Sequence, residues 1–142
     1  MIPGIRVHHF AVWVTVVWVG LCFLDSANGL GGEAPPAPEM PVRWEVMTDF
    51  QVPAEQVKAM SSKLDAELSG IRNITYDVGG KHVQLNIIAT PDIGNAEKLM
   101  TKLRSIKTEA ALLQKGLLVY EFVGQNEALP VIAKGRKYID SK

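Results

Sequence analysis

The first 29 residues contain an unbroken apolar run, Phe10 to Leu24, that a water-soluble domain could not bury. The run lacks a polar face, whereas a helix on the surface of a globular protein needs one. Its 15 residues fall short of the about 20 that a transmembrane helix uses, and they match the about 7 to 15 of a signal peptide's apolar region. Arg6 lies before the run and Asp25 after it, a charge asymmetry that keeps the amino end in the cytoplasm.

Two fates of residues 1–29 fit this pattern. The A-x-G sequence that ends at Gly29 suits signal peptidase, with cleavage after Gly29. Alternatively, the β-branched residues of the run, together with Trp13 and Trp18, form a tilted membrane helix that is retained as a signal-anchor. We therefore expect either a periplasmic or secreted protein, or one held at the membrane by residues 10–24. The rest of the chain is extracytoplasmic in both cases.

Residues 30–41 are rich in Gly and Pro, a composition typical of an extended, solvated linker. They mark a boundary before residues 42–142, whose 101 residues suit one compact domain. Beyond residue 29, the 14 basic residues (15 minus Arg6) balance the 14 acidic ones (15 minus Asp25). A neutral chain without a polybasic segment has no electrostatic footprint for nucleic acid. The single cysteine, Cys22, lies in the apolar run, so the exported part forms no disulfide of its own.

The periodicity of the domain predicts alternating strands and helices. Strands are predicted at residues 42–50, 71–78, 82–89 and 117–123, and helices at 53–68 and 90–106. Gly79 and Gly80 join the second and third strands as a tight hairpin. One or two further helical turns are expected at 107–116, and a short carboxy-terminal helix is expected at 126–142, weakened by Pro130 and Gly135. The order βαββαβ predicts an α+β, ferredoxin-like sandwich with the helices on one face of an antiparallel sheet.

Such a sandwich leaves one sheet face uncovered by helices, and the alternation along each strand makes this face polar. The apolar residues of the first strand are expected to lie together on the other face: Val42, Trp44, Val46 and Phe50. The uncovered face would present hydrogen-bonding and charged side chains to water or to a partner. We take seven of them as candidate binding residues: Glu45, Asp49, Asn73, Asp77, His82, Gln84 and Asn86.

The domain holds little material for catalysis. His82 is its only histidine and it contains no cysteine, so one chain cannot assemble a zinc site from nitrogen and sulfur ligands. His82 with Asp77, Asp49 or Glu45 would bind a cation or form an acid–base pair, but an isolated strand histidine is more often a solvated surface residue. No nucleophile motif surrounds a serine, and no glycine-rich phosphate motif precedes a helix. We therefore predict no catalytic residue, no metal site and no cofactor.

One segment resembles a known family. Residues 82–105, with VQL at 83–85 and NAEKLMTKL at 95–103, resemble a strand-and-helix unit of the SPOR family. The resemblance implies a membrane-tethered or exported βαββαβ domain that binds peptidoglycan. The chain departs from the family at residues 86–88, where a glycine and an aromatic residue are usual, so no binding residue is carried over.

Three classes of function follow from these patterns. The first is a non-catalytic interaction domain outside the cytoplasm that binds another envelope or membrane-complex protein, for instance as an accessory subunit. It would act through an edge strand or through the polar sheet face. The second is a domain that binds cell-wall glycan or a small ligand on that face. The third is a small exported enzyme that uses His82.

Overall fold

The computed structural model describes residues 34–142, so the predicted signal or anchor at residues 1–29 lies outside the described residues. The described part is an α+β domain with one antiparallel five-stranded sheet and three α-helices. The strands are β1 (Glu45–Gln51), β2 (Gly70–Val78), β3 (Lys81–Ala89), β4 (Leu112–Lys115) and β5 (Leu118–Gly124). The helices are α1 (Ala54–Leu64), α2 (Ile93–Arg104) and α3 (Leu129–Asp140). None of these three helices is both long enough and apolar enough to cross a membrane.

The strand order is β1-β2-β3-β5-β4, and every neighbouring pair is antiparallel. The α+β class with an antiparallel sheet is thus confirmed, but the ferredoxin-like order is not what the chain adopts. In a split βαβ unit, the two strands joined by a helix are parallel and lie on either side of a third strand. Here β1 pairs directly with β2, because the chain returns after α1 beside the strand that it has just left.

Two tight hairpins fix the middle and the far edge of the sheet. Gly79 and Gly80 both have positive φ (62° and 85°) and form the two-residue turn that pairs Val78 with Lys81, as predicted. The second hairpin joins β4 to β5 through Gly116, with φ of 60°. Of the helical turns expected at 107–116, only one 3-10 turn, Glu109–Ala111, is present. The rest of that prediction is wrong, because the residues that follow are extended and pair with β5.

Helices α1 and α2 pack on one face of the sheet, which we call the α1/α2 face. Apolar residues of both helices, such as Val57 and Leu99, form one core with Ile71, Ile88 and Val119 of the strands. Helix α2 begins at Ile93, after the cap residue Asp92, whose side chain accepts a hydrogen bond from the Asn95 N–H at 2.7 Å. Helix α1 ends earlier than predicted, at Leu64. The reason is that Asp65 adopts left-handed backbone geometry, with φ of 52°.

Helix α3 packs on the opposite face, which we call the α3 face. Its residues Ile132 and Ile139 join a second core that contains Ile74, Leu85 and Phe122 of the sheet. Both sheet faces are therefore covered by helices, which corrects the expectation that all helices lie on one face. The predicted tail helix is present as Leu129–Asp140, and Pro130 does not weaken it, because it falls in the first turn, where a proline disrupts no helical hydrogen bond.

Residues 35–40, which we call the strap, contact the α3 face at several points, while Pro36, Ala37 and Glu39 remain exposed. Pro35 is buried, and its carbonyl oxygen accepts a hydrogen bond from Nη1 of Arg72 at 3.2 Å. Glu39 lies 3.6 Å from Nζ of Lys142, at the carboxyl end of α3. Met40 packs against the second core. This part of the expected solvated linker is thus attached to the domain, because it covers apolar surface beside α3.

An irregularity in β1 reverses which face of the sheet its alternate side chains occupy. The pairing with β2 shifts between Val46 and Thr48, so that one extra residue, Met47, stands in the strand. Trp44, before the shift, packs in the core of the α3 face, whereas Phe50, after it, packs against the core of the α1/α2 face. The expectation that the apolar residues of this strand share one face is therefore wrong. Val42, the first of them, lies in a turn before β1 and is fully exposed.

Candidate functional site

The structure gathers six of the seven predicted binding residues on one face of the sheet. The cross-strand register aligns them in three rows, namely Glu45–Asp77–His82, Thr75–Gln84 and Asn73–Asn86. Side chains that are directly opposite in adjacent strands point to the same face. Since the neighbouring pair Ile71 and Ile88 belongs to the core under α1 and α2, all six residues lie on the α1/α2 face.

Asp49 lies apart from the other six, on the α3 face. It stands opposite Ile74, after the shift at Met47. Its carboxylate accepts two hydrogen bonds from Arg72, at 2.8 Å from Nε and 2.7 Å from Nη2. The hydrogen bond from Arg72 lowers the pKa of Asp49 and raises that of the guanidinium. Asp49 is therefore an ion-pair partner near the strap and not part of a common polar surface.

The α1/α2 face is apolar at one end and polar at the other. Its apolar end, near Ile71 and Ile88, lies under the two helices. The other end, which we call the polar half, carries the six candidate residues. Their exposure increases along the strands: Asn73 and Asn86 are buried, Thr75, Gln84 and Asp77 are half-buried, and His82 and Glu45 are exposed. The face that was predicted to be exposed to solvent is therefore accessible only at two rows, Thr75–Gln84 and Glu45–Asp77–His82.

A chain of buried polar contacts, which we call the polar row, crosses the three central strands. Nδ2 of Asn73 donates to Oδ1 of Asn86 at 2.6 Å, and Nε2 of Gln84 donates to the same oxygen at 3.0 Å. Nδ2 of Asn86 in turn donates to Oε1 of Glu121 at 3.2 Å. The ammonium of Lys107 lies 3.2 Å from that carboxylate oxygen, and the side chains of Lys107 and Glu121 are only 13% and 5% exposed.

Glu121 and Lys107 are the members of this site that the sequence analysis misses. Glu121 is the single charged residue inside the apolar segment LLVYEFV at 117–123, which is the signal that could have revealed it. A buried charge requires a partner, because its desolvation otherwise costs several kcal/mol. The partner, Lys107, comes from the connection after α2, whose position no local pattern predicts.

The polar row limits what the site can do chemically. The side chains of Asn73 and Asn86 already contact each other, and that of Asn86 also contacts Glu121. A ligand that used these amides would first have to break buried hydrogen bonds, each of which is costly to leave unmade. Contacts with an external molecule therefore fall to the outer rows of the polar half, Thr75–Gln84 and Glu45–Asp77–His82.

Within residues 34–142, the strand register places Asp77 directly opposite His82. The Asp77 carboxylate accepts a hydrogen bond from the Gly80 N–H at 2.7 Å and thus serves the hairpin turn. Within residues 34–142, His, Cys, Asp and Glu side chains do not gather in groups of three or more that could hold a metal ion.

The two edges of the sheet differ in protection. The outer strand β4 has only four residues, and Nε of Arg136 in α3 donates to the Leu112 carbonyl oxygen at 2.7 Å. The other edge, β1, has seven residues, of which five are exposed. They include the apolar side chains of Val46 and Met47, which are 60% and 51% exposed. An edge strand presents main-chain groups that can pair with another extended chain.

Comparison of the chain with protein-family models, with curated proteins and with solved structures gives no match. The geometry of the described residues is therefore the basis for the proposals that follow. The resemblance of residues 82–105 to the SPOR family contributes only to the alternative considered below.

Proposed function

We propose that this chain is a non-catalytic interaction domain that acts outside the cytoplasm and binds another envelope or membrane-complex protein. Residues 1–29 deliver it there as a signal peptide or hold it at the membrane as a signal-anchor, with residues 10–24 in the bilayer. Binding occurs by addition of a partner strand to the edge of β1. The observation that carries this proposal is the long exposed edge of β1, in contrast to the short β4 that Arg136 caps.

Strand addition at β1 combines main-chain and side-chain contacts. The partner strand satisfies main-chain groups along the edge, while Val46 and Met47 supply apolar area that is otherwise exposed to water. The irregularity at Met47 and the charges of Glu45 and Asp49 are features that hinder indiscriminate pairing of edges. A partner strand must therefore fit the shifted register of β1, which makes the binding selective.

Site-specific photo-crosslinking in the protein's own host tests this proposal. The full-length chain would carry a photo-reactive side chain at Met47, with the edge residue Gln114 of β4 as the matched control position. We expect one adduct at Met47 that is absent at Gln114 and that disappears when Val46 is replaced by Asp. Amide exchange of residues 45–49 should also slow in the purified complex. Equal adducts at both positions, or unchanged exchange, would refute binding at β1.

The alternative function is the binding of cell-wall glycan or a small polar ligand at the polar half. It is favoured by the half-buried Gln84 and Thr75 beside the exposed His82, which leave hydrogen-bonding groups facing outward. Sedimentation with insoluble peptidoglycan separates the two functions. If Gln84→Ala no longer sediments with peptidoglycan while Val46→Asp still does, glycan binding is favoured. If Val46→Asp loses the crosslinked adduct at Met47 while Gln84→Ala keeps it, protein binding is favoured.

A further inference from the structure

The outermost row of the polar half places two carboxylates side by side. Glu45 of β1 stands directly opposite Asp77 of β2, and His82 of β3 follows Asp77 in the same row. Side chains that are opposite in an antiparallel pair have Cβ atoms about 4.5 to 5.5 Å apart, and like charges in that position are destabilising. The folded domain therefore retains a repulsive pair at the edge where we place the partner.

This pair is not neutralised by a cation from the described part of the chain. The ion pairs found there include neither Glu45 nor Asp77, although the exposed Arg43 lies only two residues before Glu45. The other carboxylate of β1 differs, because Asp49 is paired with Arg72 at 2.7 Å. A local conflict that the fold leaves uncompensated is typical of a functional position.

A strand added to the edge of β1 would extend this row by one position. Its side chain opposite Glu45 would lie on the α1/α2 face, because directly opposite residues share a face. Its next side chain would lie opposite Val46 on the α3 face, where Val46 stands opposite Tyr76 and is 60% exposed. The added strand would therefore meet a carboxylate on one face and an apolar surface on the other.

We infer that the partner strand carries a lysine or arginine opposite Glu45 and an apolar residue opposite Val46. This inference rests on the proposed binding at β1 and specifies the chemistry of the partner. The cation would relieve the repulsion between Glu45 and Asp77, and the apolar residue would bury the exposed part of Val46. The β1 strand of a second copy does not fit, because its sequence EVMTDFQ contains no basic residue.

Charge reversal in the full-length chain tests this chemistry in the protein's own host. The photo-reactive side chain at Met47 would be combined with Glu45→Lys or, as a control of equal charge change, with Glu97→Lys on the exposed surface of α2. We expect the adduct yield to fall roughly tenfold in Glu45→Lys and to be unchanged in Glu97→Lys. Urea unfolding should show that Glu45→Lys is at least as stable as the parent chain, because the repulsion is removed. Mass spectrometry of the adduct should locate a lysine or arginine in the crosslinked partner segment, and its replacement by Glu should restore the adduct in Glu45→Lys.

The outcomes separate this inference from the function on which it rests. An undiminished adduct in Glu45→Lys, an equal loss in Glu97→Lys, or a partner segment without a basic residue would overturn the inference while leaving binding at β1 intact. An adduct between two copies of this chain through β1 would overturn it as well. A parent chain that forms no adduct at Met47 would refute binding at β1, and the inference with it.

Discussion

Gly135 of α3 lies so close to Trp44 that a side chain at this position would collide with the indole ring. An ideal Cβ atom would be 2.5 Å from Cη2 and 2.7 Å from Cζ2 of Trp44. The ring also makes edge-on contacts with Tyr76 and Phe122, with centroids 5.3 and 6.3 Å apart, so it has little room to move. The absence of a side chain at Gly135 thus allows α3 to approach the sheet.

Gly135→Ala should therefore destabilise the domain despite the higher helix propensity of alanine. Overpacking costs about 1 to 3 kcal/mol, against a gain of about 1 kcal/mol from propensity. Urea unfolding measures the difference. Gly94→Ala is a matched control, because its Cβ would approach only the Asp92 carboxylate oxygen, at 3.3 Å, and should leave stability unchanged or raise it. A Gly135→Ala variant as stable as the control would contradict the close contact.

The buried pair of Lys107 and Glu121 should show a strongly non-additive effect. Lys107→Met leaves the Glu121 carboxylate buried beside the Asn86 amide, with no cation among the described residues to pair with it, and should lower the free energy of unfolding by about 3 kcal/mol. Adding Glu121→Gln to this variant should restore most of the loss, since a neutral amide is cheaper to bury. Chemical denaturation of the single and double variants measures the coupling.

The exposed pair of Arg104 and Glu109 provides the control for this experiment. Their closest atoms are 3.7 Å apart, and their side chains are 53% and 73% exposed. Arg104→Met should change the stability by roughly 0 to 1 kcal/mol, because solvent screens such a pair. If Arg104→Met and Lys107→Met lower the free energy of unfolding equally, then breaking the buried pair of Lys107 and Glu121 is no more destabilising than breaking an exposed one, which would contradict this prediction.

Acid should weaken the contact between Asp49 and Arg72. The pKa of Asp49 is lowered in the folded protein by the hydrogen bond from Arg72, so the unfolded chain binds this proton more readily. The stabilisation is present above about pH 4, the usual carboxyl pKa, and is lost as the pH falls through the lowered value. Asp49→Asn should therefore reduce stability at pH 6, the reduction should shrink as the pH falls below about 4, and it should be absent in an Arg72→Met background.

Alkali should act through Tyr76. Burial raises the pKa of Tyr76 to about 12, and burial also raises that of Tyr120. A phenol whose pKa is higher in the folded state contributes stability that is full below about pH 10 and is lost as the pH rises toward 12. The stability of the Tyr76→Phe variant should fall less steeply over this interval. An identical decline in both proteins, measured by urea unfolding at each pH, would contradict burial of the phenol.

The sequence predicts those parts of the fold that depend on local patterns. The hairpin at Gly79 and Gly80 follows from the need for positive φ at both turn positions. Helix α2 follows from its cap at Asp92 and from apolar spacing, which places Leu99 and Leu103 in the core. In these elements, each residue's local preference agrees with its tertiary environment.

The topology depends on features that alternation alone does not reveal. Ile87 and Ile88 are consecutive and belong to different cores, so β3 is apolar on both faces at the end where Ala89 pairs with Gly70. This is why helices cover both faces of the sheet. The extra residue at Met47 reverses the parity of β1 and moves Asp49 to the other face. A strict period of two misplaces every residue beyond such a shift.

The candidate site was predictable in part. Five of its residues, Asn73, Asp77, His82, Gln84 and Asn86, share a face because the register of β2 and β3 follows from their common hairpin turn. Their burial was not predictable, since it depends on Glu121 from β5 and on Lys107 from a connection distant in sequence. Asn73 and Asn86 read as solvent-facing polar residues when only their own strands are considered.

The strap has a mechanical consequence for a tethered domain. A pulling force transmitted from the membrane reaches the Arg72–Pro35 hydrogen bond and the Glu39–Lys142 pair before it reaches β1. Those contacts, together with the burial of Met40 beside the core, would carry the load first, and β1 would be peeled from β2 only after they fail. In a membrane-anchored protein, the strap would therefore keep tension away from β1, the edge at which we place the partner.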